Sequence, residues 1–159
     1  MPHHPRDPDF ERRVRDSFAR QGALRTLGAA LAHVTPGAVD VAFPFREDLA
    51  QQHGFLHAGV GATALDTACG YAALSLMEPG AAVLSVEFKV QLLAPARGAW
   101  FVARGRVVRA GRTLTVVAGE LRAFGREPAP GDAPPGDGEL VTLLTGTMMA
   151  VRDRPGLAD

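Results

Sequence analysis

The chain has one cysteine, one tryptophan, one tyrosine and no excess of either charge among its 159 residues. Cys69 cannot form an internal disulfide, and its apolar surroundings favour a packed thiol over a nucleophile. Seventeen basic residues balance seventeen acidic ones, so neither a nucleic-acid nor an anionic-membrane partner is indicated. No spacing of His, Cys and carboxylate residues predicts a metal site.

The length suits one domain with a proper core. The first residues lack the apolar core of a signal peptide, so we expect a cytoplasmic location. The pattern predicts a tail and amphipathic helix over 1–24, the main domain over 25–152 and a C-terminal tail over 153–159. Within the main domain, the Pro- and Gly-rich stretch 125–138 predicts a mobile surface loop.

The segment from Ala58 to Met77 predicts a long central helix, because it is rich in Ala and Leu and contains no proline. Apolar residues occupy most of its circumference, which is typical of a helix wrapped by other structure. Asp66 is its only charged residue. This charge and the interior glycines argue against a membrane span.

The rest of the pattern predicts a short helix and six strands. Short turns join most consecutive strands, so the fold class is α+β with a mainly antiparallel sheet of five to six strands. One sheet edge would be protected by pairing with a second copy. In the strand 84–92, alternation predicts that the apolar face with Leu84 and Phe88 is packed. Ser85 would share the opposite face with Glu87 and Lys89, and that face would be wetter or meet a partner. The predicted ranges are 7–21 for the helix and 29–34, 39–45, 84–92, 100–109, 112–124 and 140–151 for the strands.

Asp66 is the candidate around which function is organised. Burial of a carboxylate without a partner destabilises a fold by several kcal/mol, so an acid in this apolar helix indicates a specific role. Burial raises the pKa of a carboxyl group, which is how proteins prepare a general base. The alternative is that Asp66 faces solvent or bonds a hydroxyl such as that of Thr63 or Thr67. Composition leaves these two interpretations open.

A group of residues around this helix resembles a known family, the hotdog-fold acyl-CoA thioesterases of the PaaI-like phenylacetyl-CoA and 4-hydroxybenzoyl-CoA type. The resemblance implies a hotdog fold and hydrolysis of a medium-chain or aromatic acyl-CoA to free acid and CoA, without a metal or redox cofactor. It also implies a homodimer with shared active sites and a dimer-of-dimers tetramer. The matching positions are Gln51, Gly54, His57, Gly59, Asp66, Ser85 and the run LLAPARG at 92–98.

The same resemblance implies a role for each candidate site residue. Asp66, from the neighbouring subunit, would be the nucleophile or the base that activates water. The N–H groups of Ala58 and Gly59 would be unpaired at the helix start and would hold the thioester carbonyl at the positive end of the helix. His57 would fix the loop before the helix rather than transfer protons. Gln51, or Gln52 in its place, would hold water or the carbonyl, Ser85 would lie near the acid, and Thr67 is a further substrate-binding candidate.

Two departures from the family pattern leave other functions open. Ala58 replaces a glycine, and Gln51 is one carbon longer than the usual Asn, so a non-catalytic acyl-CoA binder or sensor is an alternative. A hotdog dehydratase or hydratase is disfavoured, because those enzymes pair a His and an acid in a different pattern.

Binding of the CoA phosphates would require basic side chains near the site. The candidates by position are Arg97, Arg104, Arg106, Arg109 and Arg112.

Overall fold

The structure is a computed structural model that describes residues 3–129, 131–132 and 136–157. Its helices are α1 (Phe10–Arg20), α2 (Gly22–Leu27) and α3 (Ala58–Leu74), with a 3₁₀ turn at Glu47–Leu49. Its strands are β1 (Ala30–Thr35), β2 (Ala38–Pro44), β3 (Ala82–Leu92), β4 (Trp100–Ala110), β5 (Leu114–Phe124) and β6 (Glu139–Val151).

The six strands form one sheet in the order β1-β2-β4-β5-β6-β3, and every neighbouring pair is antiparallel. The predicted α+β architecture with a central helix is therefore confirmed. The two edges are the short β1 and the long β3. The chain crosses from β2 to β3 through α3, which lies against one face of the sheet.

A pair of glycines lets α3 approach the middle of the sheet. Gly105 on β4 and Gly119 on β5 are directly opposite each other. A Cβ added at Gly105 would lie 2.4 Å from the carbonyl carbon of Ala68, and one at Gly119 would lie 2.9 Å from Cys69 Sγ. No side chain fits at such distances, so the helix backbone packs directly on these two strands. Residues along the inner half of the helix are consequently fully buried.

The central helix ends at Leu74, three residues before the predicted end. The N–H groups of Leu76 and Met77 bond to the carbonyls three residues earlier, which tightens the chain into a last irregular turn. The Ser75 hydroxyl donates to the Ala72 carbonyl and accepts the Gly37 N–H. Pro79 and Gly80 then prevent further helix.

The N-terminal helices belong to the same core as α3. Val14 of α1 and Leu24 and Leu27 of α2 are buried in the main hydrophobic cluster. The short helix α2 was not predicted, and the expected boundary between residues 24 and 25 lies inside it. Parts of the predicted tails and of the 125–138 loop, namely 1–2, 130, 133–135 and 158–159, lie outside the described residues. Among the described helices, none is long and apolar enough to cross a membrane.

Strand β3 departs from the predicted alternation because it contains a bulge. Ser85 pairs with Met148, but Glu87 pairs with Thr147, so Val86 is an extra residue in the ladder. The bulge moves Ser85 onto the face that α3 covers and Leu84 onto the opposite face. The prediction that Ser85 shares a face with Glu87 and Lys89 is therefore wrong. The expectation of one packed face is also wrong within a single chain, since Leu84, Val86, Phe88 and Leu92 are 39–61% exposed.

Candidate active site

Asp66 and Ser85 form a hydrogen-bonded pair beside the sheet edge. The Ser85 hydroxyl donates to Asp66 Oδ1 at 2.6 Å and also lies 3.4 Å from Met148 Sδ. The charged acceptor at the shorter distance takes the proton, since bonds to an ionised carboxylate are the stronger ones. Asp66 is half-buried. Its hydroxyl partner is thus Ser85 rather than Thr63, which donates to the Gly59 carbonyl.

This pair opens into a cleft of about 190 Å³ between α3 and the first residues of β3. Thr67, also predicted as a site residue, lies in its lining next to Asp66. Two further lining residues, Gln21 and Tyr71, were missed by the sequence analysis. Tyr71 follows Thr67 by one helical turn, a spacing that could have indicated it. Gln21 lies in the break between α1 and α2, and no local pattern marks it.

The start of α3 is organised by His57. His57 is the N-cap residue, and its Nδ1 accepts the Gly59 N–H at 2.9 Å. Its own N–H donates to the Leu49 carbonyl, which ties the loop to the 3₁₀ turn. The expectation that the Gly59 N–H is unpaired is therefore wrong. The Ala58 N–H, by contrast, has no hydrogen-bond partner among the described residues.

The two glutamines before the helix occupy different environments. Gln51 closes a tight turn through its backbone, and its Oε1 accepts the His53 N–H. This leaves the amide donors of Nε2 available. Gln51 lines a second cleft of about 380 Å³ together with His57 and Ala58, whereas Gln52 is exposed and does not line it. Residues of the predicted LLAPARG run form the opposite wall of this cleft.

The two clefts are separate within one chain. They share no lining residue, and Ala58 and Asp66 are about 12 Å apart along the helix at 1.5 Å per residue. Both clefts lie along β3: the Asp66 cleft includes Ser85 near the start of the strand, and the larger cleft includes Leu92 at its end. One chain alone therefore does not bring the acid to the helix start.

Of the five candidate arginines, only Arg97 lies next to the larger cleft. Its guanidinium lies over the Phe55 ring, 4.4 Å from the centroid, and Phe55 lines the cleft. Arg104 and Arg106 project from the sheet face opposite α3, where Arg106 pairs with Glu120 at 2.6 Å. Arg109 and Arg112 are exposed around the β4–β5 hairpin.

Neither thiolate chemistry nor a protein-held metal is indicated by the described residues. Burial, reinforced by the negative charge of Asp66, raises the pKa of the Cys69 thiol to about 12. Cys69 is therefore protonated and packed, in agreement with the prediction. Among the described residues, no group of three or more His, Cys, Asp or Glu side chains is placed to hold a metal ion.

The six-stranded antiparallel sheet with its central helix is a hotdog fold, and it is shared with known thioesterases. Residues 53–129 match the thioesterase superfamily. A thioesterase family protein from Silicibacter pomeroyi is 48% identical in sequence, with a TM-score of 0.82 over 90% of this chain and 98% of that one. The PaaI protein of the phenylacetic acid degradation operon of E. coli shares the fold at 17% identity, with a TM-score of 0.77 over 94% and 96% of the two chains.

Sequence similarity also extends to an archaeal protein provisionally named an esterase. This Halobacterium salinarum protein is 37% identical over 100 residues, which are 60% of this chain and 66% of the relative. The match thus spans a little under two thirds of that relative. From these similarities, the chain belongs to the thioesterase superfamily and is a thioester hydrolase.

Proposed function

We propose that the protein is an acyl-CoA thioesterase of the PaaI-like type, which hydrolyses a medium-chain or aromatic acyl-CoA to the free acid and CoA. The observation that carries this proposal is the Asp66–Ser85 pair, an oriented carboxylate in a cleft at the open edge of the sheet. Ser85 engages Oδ1, which leaves Oδ2 for the reaction. The proposed location is the cytoplasm, as the sequence suggested.

A second copy of the chain would complete the site. Strand β3 is an open edge with exposed apolar residues, which favours pairing with another strand. Two β3 strands related by a two-fold axis pair antiparallel, so the start of each lies beside the end of the other. Ser85 is near the start of β3 and Leu92 is at its end. This pairing would bring Asp66 of one copy to the larger cleft of its partner.

In the completed site, the carbonyl oxygen would accept hydrogen bonds from the Ala58 N–H and the Gln51 amide. Both donors lie at the positive end of α3 and favour the negative charge that develops on this oxygen. Asp66 would deprotonate a water that attacks the carbonyl carbon, after which the C–S bond breaks and the CoA thiolate takes the proton back from Asp66. Alternatively, Asp66 would attack the carbonyl carbon itself: the C–S bond breaks to leave a mixed anhydride with Asp66, and a water then cleaves this anhydride, releases the free acid and supplies the proton to the thiolate. Arg97 would lie near the mouth, where the phosphates of CoA could reach it.

Two such dimers would form the proposed tetramer through the sheet face opposite α3. This face carries three exposed apolar side chains near one end: Leu84, Leu114 and Val116. Leu84 and Leu114 both pair with Met149, so they form a continuous strip across three strands. Such a strip is typical of a protein contact.

The test of the proposed function is thiol release from a panel of short, medium, long and aromatic acyl-CoAs. Wild type and Asp66→Asn would be measured in parallel, with Asp16→Asn on the exposed side of α1 as the matched control. We expect hydrolysis by the wild type and the control, and a loss of roughly two orders of magnitude or more in Asp66→Asn. Equal rates in all three proteins would exclude Asp66 from the chemistry, and no turnover of any substrate would exclude the proposed reaction.

A further inference from the structure

The N-terminal helices contribute one wall of the Asp66 cleft. Gln21, between α1 and α2, lines this cleft together with Asp66, Ser85 and Tyr71. The family match covers residues 53–129, so Gln21 lies outside the matched core. Its backbone is extended, with φ −74° and ψ 107°, and separates α1 from α2.

The side chain of Gln21 is held in one orientation. Its Nε2 donates to the Tyr71 hydroxyl at 2.7 Å, and that hydroxyl lies 3.1 Å from Ser17 Oγ. The Tyr71 ring packs against Phe18, with 6.1 Å between the centroids, and Tyr71 is only 3% exposed. The amide is thus fixed by a buried group. Its acceptor, Oε1, has no hydrogen-bond partner among the described residues.

The size and polarity of the cleft define what could occupy it. At about 190 Å³ it is larger than the roughly 150 Å³ cavity that accepts a benzene ring, so one ring or a medium-length chain fits. The wall contributed by Gln21, Thr67 and Tyr71 is polar, although the cleft lies next to the core. An acyl group without polar atoms would cover Gln21 Oε1 without offering it a hydrogen bond in place of solvent, which is unfavourable.

We propose that Gln21 is a specificity-determining residue, which selects acyl groups that carry a hydroxyl or N–H donor at the end remote from the thioester. The donor would bond to Gln21 Oε1 while the thioester carbon lies beside Asp66. Tyr71 is a positioning residue, because it acts by holding the Gln21 amide. This inference rests on the proposed function, since the ligand is the acyl group of that reaction.

The test compares two substrates that differ only at the remote end, hexanoyl-CoA and 6-hydroxyhexanoyl-CoA. We expect the wild type to prefer the hydroxylated substrate in kcat/KM. In Gln21→Leu this preference should fall by about tenfold, the equivalent of one hydrogen bond, through a higher KM for the hydroxylated substrate. The KM for hexanoyl-CoA should stay the same or fall, because leucine removes the polar group that an apolar chain would leave without a hydrogen bond. A general loss of structure would instead lower kcat/KM for both substrates by the same factor and leave the preference unchanged.

Two further variants keep the test decisive. Tyr71→Phe retains the packed ring but releases the Gln21 amide, so the preference should fall in the same direction by a smaller factor. Arg25→Leu, on the exposed side of α2, should leave it unchanged. A preference that is absent in the wild type, or unaltered in Gln21→Leu, would overturn the inference while hydrolysis itself supports the proposed function. Absence of hydrolysis in the wild type would remove both.

Discussion

Asp66 and Cys69 are neighbours on one helix, yet burial acts on them in different ways. Asp66 is half-buried and accepts a hydrogen bond from Ser85, so its charge is compensated at the cleft. Cys69 is fully buried, and the pKa of its thiol is raised to about 12 by burial and then by the Asp66 charge. The thiol therefore stays protonated at neutral pH and does not compete with the carboxylate as a nucleophile.

Glu78 provides a prediction about stability and pH. Hydrogen bonding to Arg152 lowers the pKa of Glu78 from 4.5 to about 2, and Arg6 adds an ion pair at 3.3 Å. A carboxyl group whose pKa is lower in the folded state stabilises the fold above its unfolded pKa, and this contribution is lost as the pH falls toward the folded value. The loss should therefore occur between about pH 5 and pH 2.

The measurement is the urea concentration at the midpoint of unfolding, at about pH 6 and about pH 3.5. The wild type should lose stability between the two values, and Glu78→Gln should lose less because it has no carboxyl group to protonate. Glu47→Gln, an exposed position in the 3₁₀ turn, should behave as the wild type does. An identical pH dependence in Glu78→Gln and wild type would contradict the prediction.

At the scale of elements, the periodicity of apolar residues predicts helices and strands where the packing is regular. It does not predict the positions where that regularity is interrupted. The proline-free segment after His57 predicted α3, because an apolar circumference requires a wrapped helix. The single extra residue at Val86 reversed the face of Ser85, and a bulge has no period to detect. Gly59 was expected to offer a free N–H, but the cap depends on the rotamer of His57. The position of the Gln21 side chain depends on its hydrogen bond to Tyr71, which is 50 residues further along the chain, so no local pattern predicts it.

The C-terminal end of α3 depends on Arg13 of α1. Its guanidinium donates to the carbonyls of Leu74, Met77 and Glu78 and forms an ion pair with Asp7 at 3.1 Å. Both charged side chains are less than 10% exposed. The group satisfies carbonyls that the helix leaves unpaired and favours the negative end of its dipole.

Removal of this cap should be strongly destabilising. We expect Arg13→Ala to lower the free energy of unfolding by about 3–5 kcal/mol, since it leaves Asp7 as a buried, uncompensated charge. Arg12→Ala, at a neighbouring position whose side chain is 72% exposed, should change it by about 0.5 kcal/mol or less. Chemical denaturation of both variants measures the difference. Similar values for the two would show that the buried contacts of Arg13 carry little stability.

At the scale of the whole molecule, the single chain contains all the candidate site residues but does not bring them together in one cleft. The acid lies in one cleft, the helix start and Gln51 lie in another, and both clefts follow the exposed edge strand. An edge of eleven residues with exposed apolar side chains is unfavourable in an isolated chain. The proposed dimer resolves both features with one contact, because the antiparallel pairing of β3 covers the edge and joins the clefts.

Shared sites predict complementation between two inactive variants. Asp66→Asn removes the acid. Ala58→Pro removes only the N–H proposed to bind the carbonyl, because proline is tolerated at the first helical position and His57 already has an extended backbone, with ψ 134°. Each homodimer should lose about two to three orders of magnitude in rate. In co-expressed mixed dimers one of the two sites has both groups intact, so a statistical mixture should regain about one quarter of wild-type activity.

The decisive control places both substitutions on one chain and mixes it with wild type. If the sites are shared, the mixed dimers contain no intact site, and only the wild-type homodimers contribute, again about one quarter. If each chain contains its own site, this mixture should instead show about one half, and the two single variants should not complement each other at all. Thiol release, measured on mixtures whose composition is verified by mass spectrometry, separates the two arrangements. The second result would contradict the shared site and require Asp66 to reach the helix start within one chain, across the roughly 12 Å that separates them.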